Sequence, residues 1–128
     1  GDGSILMHFG SLNDISNFSG NNFKHILLNN NSHESVGGQT TKSSKINFKS
    51  IVIGLGYKSY HQINRKKDLS KKIRKFIKVQ GPSFLEIKIS DGTLKNLSRP
   101  KIFFEIKKRF MGKWLIPKKI YRFFWKTF

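Results

Sequence analysis

The chain contains no cysteine, which excludes disulfides and thiolate-bound metals and leaves the redox compartment unmarked. It also lacks any long apolar run. None is longer than those at Ile51–Ile53 and Phe123–Trp125, far short of the ~20 residues that a membrane-spanning helix needs. The basic region that opens a secretory signal is missing too, because Asp2 stands in its place. A cytoplasmic protein is the expectation. No internal repeat is evident, and 128 residues suit one domain with a respectable core.

Acidic residues are scarce. Seven Asp and Glu face 25 Lys and Arg, a net charge of +18. That excess suggests a polyanion partner at first, but it is unevenly spread. Residues 1–44 hold two lysines and three acids, whereas residues 45–128 hold all the other basic residues. Most are lysines in a chain also heavy in Asn, Ile and Phe, a bias that an AT-rich genome produces unaided. Solvated lysines account for it, and nucleic acid is not the expected partner.

What is present alternates. Ile5, Leu6, Phe9, Leu12, Ile15 and Phe18 have helical spacing, with Ser4 placed as an N-cap. His25 to Leu28 reads as a short buried strand and 35–41 as a Gly-rich loop. Phe48 to Leu55 predicts a helix closed by Gly56, and Lys58 to Ile63 a strand. Asp68 to Val79 predicts a helix with Leu69, Ile73, Phe76 and Ile77 on one face. Gly81-Pro82 breaks it, Phe84 to Ile89 alternates as a strand, and residues 102–115 look helical. Strands alternating with helices predict an α/β fold, a mostly parallel sheet flanked by helices. Residues 116–128 form a basic amphipathic tail, suited to docking on the chain's own domain or a partner subunit.

The informative chemistry lies near residue 1. Gly1-Asp2-Gly3-Ser4 joins two glycines, which let a ligand approach the backbone, to a helix N-terminus with free N–H donors. That suits a diphosphate. Asp2 would repel it unless a cation intervenes, and Mg²⁺ takes oxygen ligands while sharing substrate phosphates. Asn29-Asn30-Asn31 follows the apolar Ile26-Leu27-Leu28, where an amide oxygen could add a ligand without adding charge. Both sets would emerge at the carboxyl edge of a parallel sheet. Rival motifs are weaker. Ile53-Gly54-Leu55-Gly56 lacks the third glycine of a dinucleotide loop, the four histidines have no metal-ligand spacing with carboxylates, and Ser35 lacks a base-and-acid partner set.

Gly-Asp-Gly, 25 intervening residues, then Asn29-Asn30 resembles the signature of thiamine diphosphate enzymes. GDGSILMHFGSL with LNNNSHESVGGQTT is similar to the phosphonopyruvate decarboxylase family and its sulfopyruvate relatives. GPSFLEIKI and LSRPKIFFEIKKRFM resemble that family's closing strand and final helix, so the likeness covers residues 1–115. The resemblance implies a thiamine diphosphate-binding fold without its first strand, with 1–115 as the diphosphate- and Mg²⁺-binding domain and 116–128 as the tail. It implies Asp2, the Asn30 side chain and the Ser32 carbonyl as Mg²⁺ ligands, and Gly1, Gly3 and Ser4 as further cofactor contacts. His33 and Glu34 would border the reacting end as catalytic candidates. Asn31 stands where the family has glycine, and Thr40 replaces a proline, which should loosen that loop slightly.

Enzymes of this kind pair the diphosphate-binding domain with a pyrimidine-binding domain that supplies an activating glutamate. Glu34, Glu86 and Glu105 do not stand in that glutamate's context. The expectation is therefore a partner domain, on a missing N-terminal half or a separate subunit, in a homo- or hetero-oligomer acting on a small 2-oxo acid. The alternatives are a sulfopyruvate-specific subunit, a non-catalytic basic module on polyanions or membrane surfaces, and a decayed gene fragment.

Overall fold

A computed structural model of the chain describes residues 1–92 and 102–114. Its elements are α1 (Asp2–Met7), α2 (Ser11–Phe18), β1 (Lys24–Asn29), α3 (Phe48–Leu55), β2 (Ser59–Ile63), α4 (Leu69–Ile77), β3 (Ser83–Lys88) and α5 (Phe103–Trp114). The strands form a parallel sheet in the order β1-β3-β2. The expected α/β architecture is therefore present. The chain divides into two units, Gly1–Thr93 and Leu94–Phe128, and α5 belongs to the second. The 116–128 tail lies outside the described residues. Among the described residues, no helix is long and apolar enough to cross a membrane.

Both faces of the sheet carry packed apolar side chains. On one face, Leu27 and Phe84 join Ile5, Leu12, Phe48, Val52 and Tyr57, contributed by α1, α2, α3 and the turn after α3. On the other, Leu85, Ile87 and Ile63 pack with Phe76 of α4 and with Leu69 and Ile73. Strand β3 is consequently buried from Ser83 to Ile87, as a central strand must be when helices lie on both sides. Its simple alternation in the sequence does not persist as alternating exposure.

Three local expectations are corrected. The single helix over residues 5–18 is two helices, and its cap is Gly1 rather than Ser4. The break at His8–Gly10 is held by Ser11 N and Ser11 Oγ, which donate to the His8 carbonyl at 3.0 and 2.7 Å. It lets α1 pack on β1 while α2 packs on α3, two neighbours that one straight helix does not serve. Strand β1 is buried only at Leu27 and Asn29; Ile26 and Leu28 are each 46% exposed. Ile77, at the margin of the α4 stripe, is 61% exposed.

Helix α3 follows the reading closely. The Asn47 side chain accepts from Ser50 N at 3.0 Å at its start, and Gly56 closes it at φ 108°, a left-handed conformation that glycine adopts without a Cβ penalty. The Gly54–Gly56 pair is therefore a helix ending and not a dinucleotide loop.

Candidate functional site

The parallel strands bring their carboxyl ends to one edge, and the segment after β1 is folded there by its own side chains. Asn29 is buried. Its Oδ1 accepts from Asn31 N at 3.0 Å and from Ser43 Oγ at 2.8 Å, an Asx turn of the kind that Asn favours at a strand end. Asn31 adopts φ 59°, so asparagine does take the left-handed position. Its Oδ1 accepts from Ser43 Oγ and Ser44 N at 3.2 and 3.1 Å, and its carbonyl accepts from Thr41 N at 3.1 Å.

The loop is not loosened at Thr40. Its Oγ1 accepts from Asn31 Nδ2 and Lys42 N, each at 3.2 Å, and Thr40 forms an antiparallel bridge with Ser32. A hydroxyl thus supplies tethering that a proline ring would not.

Of the three asparagines, Asn30 is the one left to line the cleft. Its Oδ1 accepts one bond, from Ser32 N at 3.2 Å, and its Nδ2 donates to Glu34 Oε2 at 2.8 Å. Glu34 Oε1 accepts from Gly92 N at 2.7 Å, so both oxygens of that carboxylate are engaged. A carbonyl oxygen carries two lone pairs, which leaves Asn30 Oδ1 an acceptor site.

Asp2 enters from α1. It is fully buried, and its Oδ2 accepts from Thr41 Oγ1. Its Oδ1 is buried with no hydrogen-bond partner. A buried polar atom left unpaired costs about 1–3 kcal/mol and calls for an occupant. A Cβ on Gly3 would come 2.4 Å from His33 Nδ1, so any larger residue there would have to displace the His33 ring. The imidazole of His33 therefore rests on α1 and ties the two halves of the motif together.

Gly1, Asp2, Gly3, Ser4, Asn30, Ser32, His33 and Glu34 all line one cleft of about 470 Å³, rimmed by Met7, Leu28, Val36 and Ile89. Every residue predicted for the site thus falls in one place, from segments nearly thirty positions apart. Among the described residues, no group of three or more His, Cys, Asp or Glu side chains could hold a metal. One carboxylate with neutral oxygens from an amide and a backbone carbonyl is a donor set for a hard, oxygen-seeking cation shared with phosphate. His25 belongs to the core, its ring 4.7 Å from Phe84, and burial lowers its pKa. His61 meets Phe76 edge-on at 5.5 Å.

The sequence reading missed the support beneath this edge. Glu86, 3% exposed in the middle of β3, accepts from Asn29 Nδ2 and Lys88 Nζ, each at 2.6 Å on Oε1, and from Tyr60 OH and Gln62 Nε2 on Oε2. Burial pushes its pKa up, but the donors from Lys88, Tyr60 and Asn29 outweigh burial and hold it below the usual glutamate value. The signal was available: a charge inside the apolar FLEIKI run must find partners.

A second cleft, of about 550 Å³, runs along β2 and α4 beside Arg65, Lys71, Lys72 and Lys75. Arg65 is paired with Asp68 at 3.0 Å, and Lys72 donates to the Gln62 carbonyl at 3.1 Å, so part of that charge is spent within the fold.

Comparison with known proteins agrees with the geometry. Residues 1–87 match the family described as thiamine pyrophosphate enzyme, C-terminal TPP binding domain. A phosphonopyruvate decarboxylase of Streptomyces viridochromogenes is 35% identical over 102 residues, and one of Streptomyces hygroscopicus is 34% identical over the same length. These matches cover 80% of this chain but 26% and 25% of the relatives, so the chain spans about a quarter of their length. With Asp2 and Asn30 facing one cleft at the carboxyl edge of a parallel sheet, the chain belongs to the thiamine pyrophosphate enzyme family, as a C-terminal TPP-binding domain.

Proposed function

We propose that this chain is the diphosphate- and Mg²⁺-binding part of a 2-oxo acid decarboxylase that converts phosphonopyruvate to phosphonoacetaldehyde and CO₂. The observation that carries the metal assignment is the orphaned Asp2 Oδ1, buried beside the cleft that Asn30 and Ser32 also line. The substrate assignment is supported by the relatives that this chain resembles.

In this reading Asp2 Oδ1, the free acceptor site of Asn30 Oδ1 and the Ser32 carbonyl hold Mg²⁺. Thr41 fixes the second carboxylate oxygen of Asp2 and so aims the first. The backbone of Gly3 and Ser4 receives the diphosphate, in the first turn of α1 where N–H groups have no intrahelical partner. Bound thiamine diphosphate supplies the electron sink for loss of CO₂ from a 2-oxo acid. Glu34 orients Asn30 through its bond to Nδ2, and His33, whose side chain packs on Gly3 at the cleft wall, is the remaining candidate for handling a proton. The activating glutamate comes from a pyrimidine-binding partner domain, in the same polypeptide or another subunit, within a cytoplasmic oligomer.

The test is an assay of CO₂ release from phosphonopyruvate and from sulfopyruvate by the chain assembled with its pyrimidine-binding domain. Turnover of phosphonopyruvate at least about tenfold above sulfopyruvate, a difference of about 1.4 kcal/mol in transition-state binding, is expected only in the assembly. Turnover by this chain alone refutes the two-domain reading, and a preference for sulfopyruvate refutes the substrate.

A further inference from the structure

The buried carboxylate in β3 has no place in the proposed chemistry, yet two successive hydrogen bonds join it to Asn31, the residue between two that line the cleft. Glu86 Oε1 accepts from Asn29 Nδ2, Asn29 Oδ1 accepts from Asn31 N and Ser43 Oγ, and Asn31 lies between Asn30 and Ser32. An asparagine amide presents two donors at one end and an acceptor at the other. Reversed, Asn29 would set its NH₂ against the N–H of Asn31, and the turn would lose the bond that closes it. Glu86 prevents the reversal, because an ionised carboxylate offers acceptors only. Its four lone-pair sites are filled by four donors, two on each oxygen. A glutamine could keep its Oε1 on Asn29 and Lys88 and donate to the Tyr60 hydroxyl, which also accepts, whereas a leucine leaves Asn29 Nδ2 with no acceptor on β3.

We propose that Glu86 is a positioning residue: by accepting from Asn29 Nδ2, it sets the orientation of the Asn29 amide and through it the shape of the Asn30–Ser32 loop. The geometry itself requires no metal. Only its consequence for cation binding rests on the reading of Asp2 and Asn30 given above.

Two readouts on the full chain test it: exchange of the Asn31 amide proton followed by NMR, and the dissociation constant for Mn²⁺ used alone as a probe. Glu86→Leu is expected to speed Asn31 exchange at least about tenfold relative to amides in the middle of β3. It is also expected to weaken Mn²⁺ about tenfold or more, the usual effect of removing a residue that orients a metal ligand. Tyr60→Phe removes a donor from the far oxygen of Glu86 and should leave both readouts within about twofold of wild type. The exchanged pair, Asn29→Asp with Glu86→Gln, restores a donor opposite an acceptor and keeps an oxygen towards Asn31 N. It should recover the slow Asn31 exchange, and it serves as the test if Glu86→Leu alone does not fold. The proposal fails if Glu86→Leu leaves Asn31 exchange unchanged, if Tyr60→Phe matches its effect, or if the exchanged pair gives no recovery. Loss of Asn31 protection in Glu86→Leu, in a chain whose wild type binds no Mn²⁺ even with thiamine diphosphate added, supports the positioning role and refutes the metal assignment instead.

Discussion

Asp2→Asn is expected to abolish Mg²⁺-dependent binding of thiamine diphosphate in the assembled enzyme while leaving this domain folded. The carboxylate is fully buried, with one oxygen satisfied by Thr41 and the other unpartnered. Asparagine keeps the size and can keep an acceptor towards Thr41, so the local packing survives. In the proposed reading it removes the negative charge that would let a diphosphate and a dication share the cleft, and neutral amide oxygens alone would not replace it. Calorimetric titration should show at least a hundredfold loss of affinity, about 2.7 kcal/mol. The stabilisation of about 2.7 kcal/mol that wild type gains at a hundredfold excess of ligand over its dissociation constant should vanish with it. Without ligand the variant should be no less stable than wild type, because an uncompensated buried charge has been taken away. Unchanged affinity would refute the metal assignment.

The second large effect concerns the platform. Phe84→Ala should destabilise the domain by about 3–5 kcal/mol. Phe84 is fully buried in the central strand. Its ring centroid lies 4.7 Å from His25, 5.7 Å from Tyr57, 6.1 Å from Tyr60 and 6.3 Å from Phe48. Truncation removes a partner from all four rings and opens a cavity between β3 and α3, where backbone relaxation is limited by strands on both sides. Against a total stability of about 5–15 kcal/mol for a domain, such a loss lowers the melting temperature by roughly 12 °C or more. Urea denaturation checks it, and a loss below about 1 kcal/mol would show that the core is not organised around this residue.

How far the molecule could be read from its residues follows from which interactions are local. Helix α3 was legible to the residue, since an apolar run between a capping Asn47 and a left-handed Gly56 is a local matter. That Asp2 and Asn30 line one cleft was legible through the likeness of Gly-Asp-Gly and the later Asn-Asn to a known signature, and the carboxyl edge of the sheet is where the two segments meet. The break at His8–Gly10 was not, because the apolar spacing of residues 5–18 suits a continuous helix and only packing on two different neighbours selects against it. Strand order is equally nonlocal. Nothing in FLEIKI announces that it lies between β1 and β2, and without that fact the partners of Glu86 on both neighbouring strands are out of reach. The Thr40 substitution misled for a chemical reason: losing a rigid proline suggested a looser loop, whereas the hydroxyl gained accepts two hydrogen bonds.

The proposed metal and diphosphate site is tested most directly by diffraction from crystals of the assembled enzyme grown with thiamine diphosphate and Mn²⁺, at a wavelength where manganese scatters anomalously. The account predicts one anomalous peak in this domain's cleft, in contact with Asp2 Oδ1, Asn30 Oδ1 and the Ser32 carbonyl, with the cofactor diphosphate completing its ligands. A bound cofactor whose metal touches neither Asp2 nor Asn30 would contradict it.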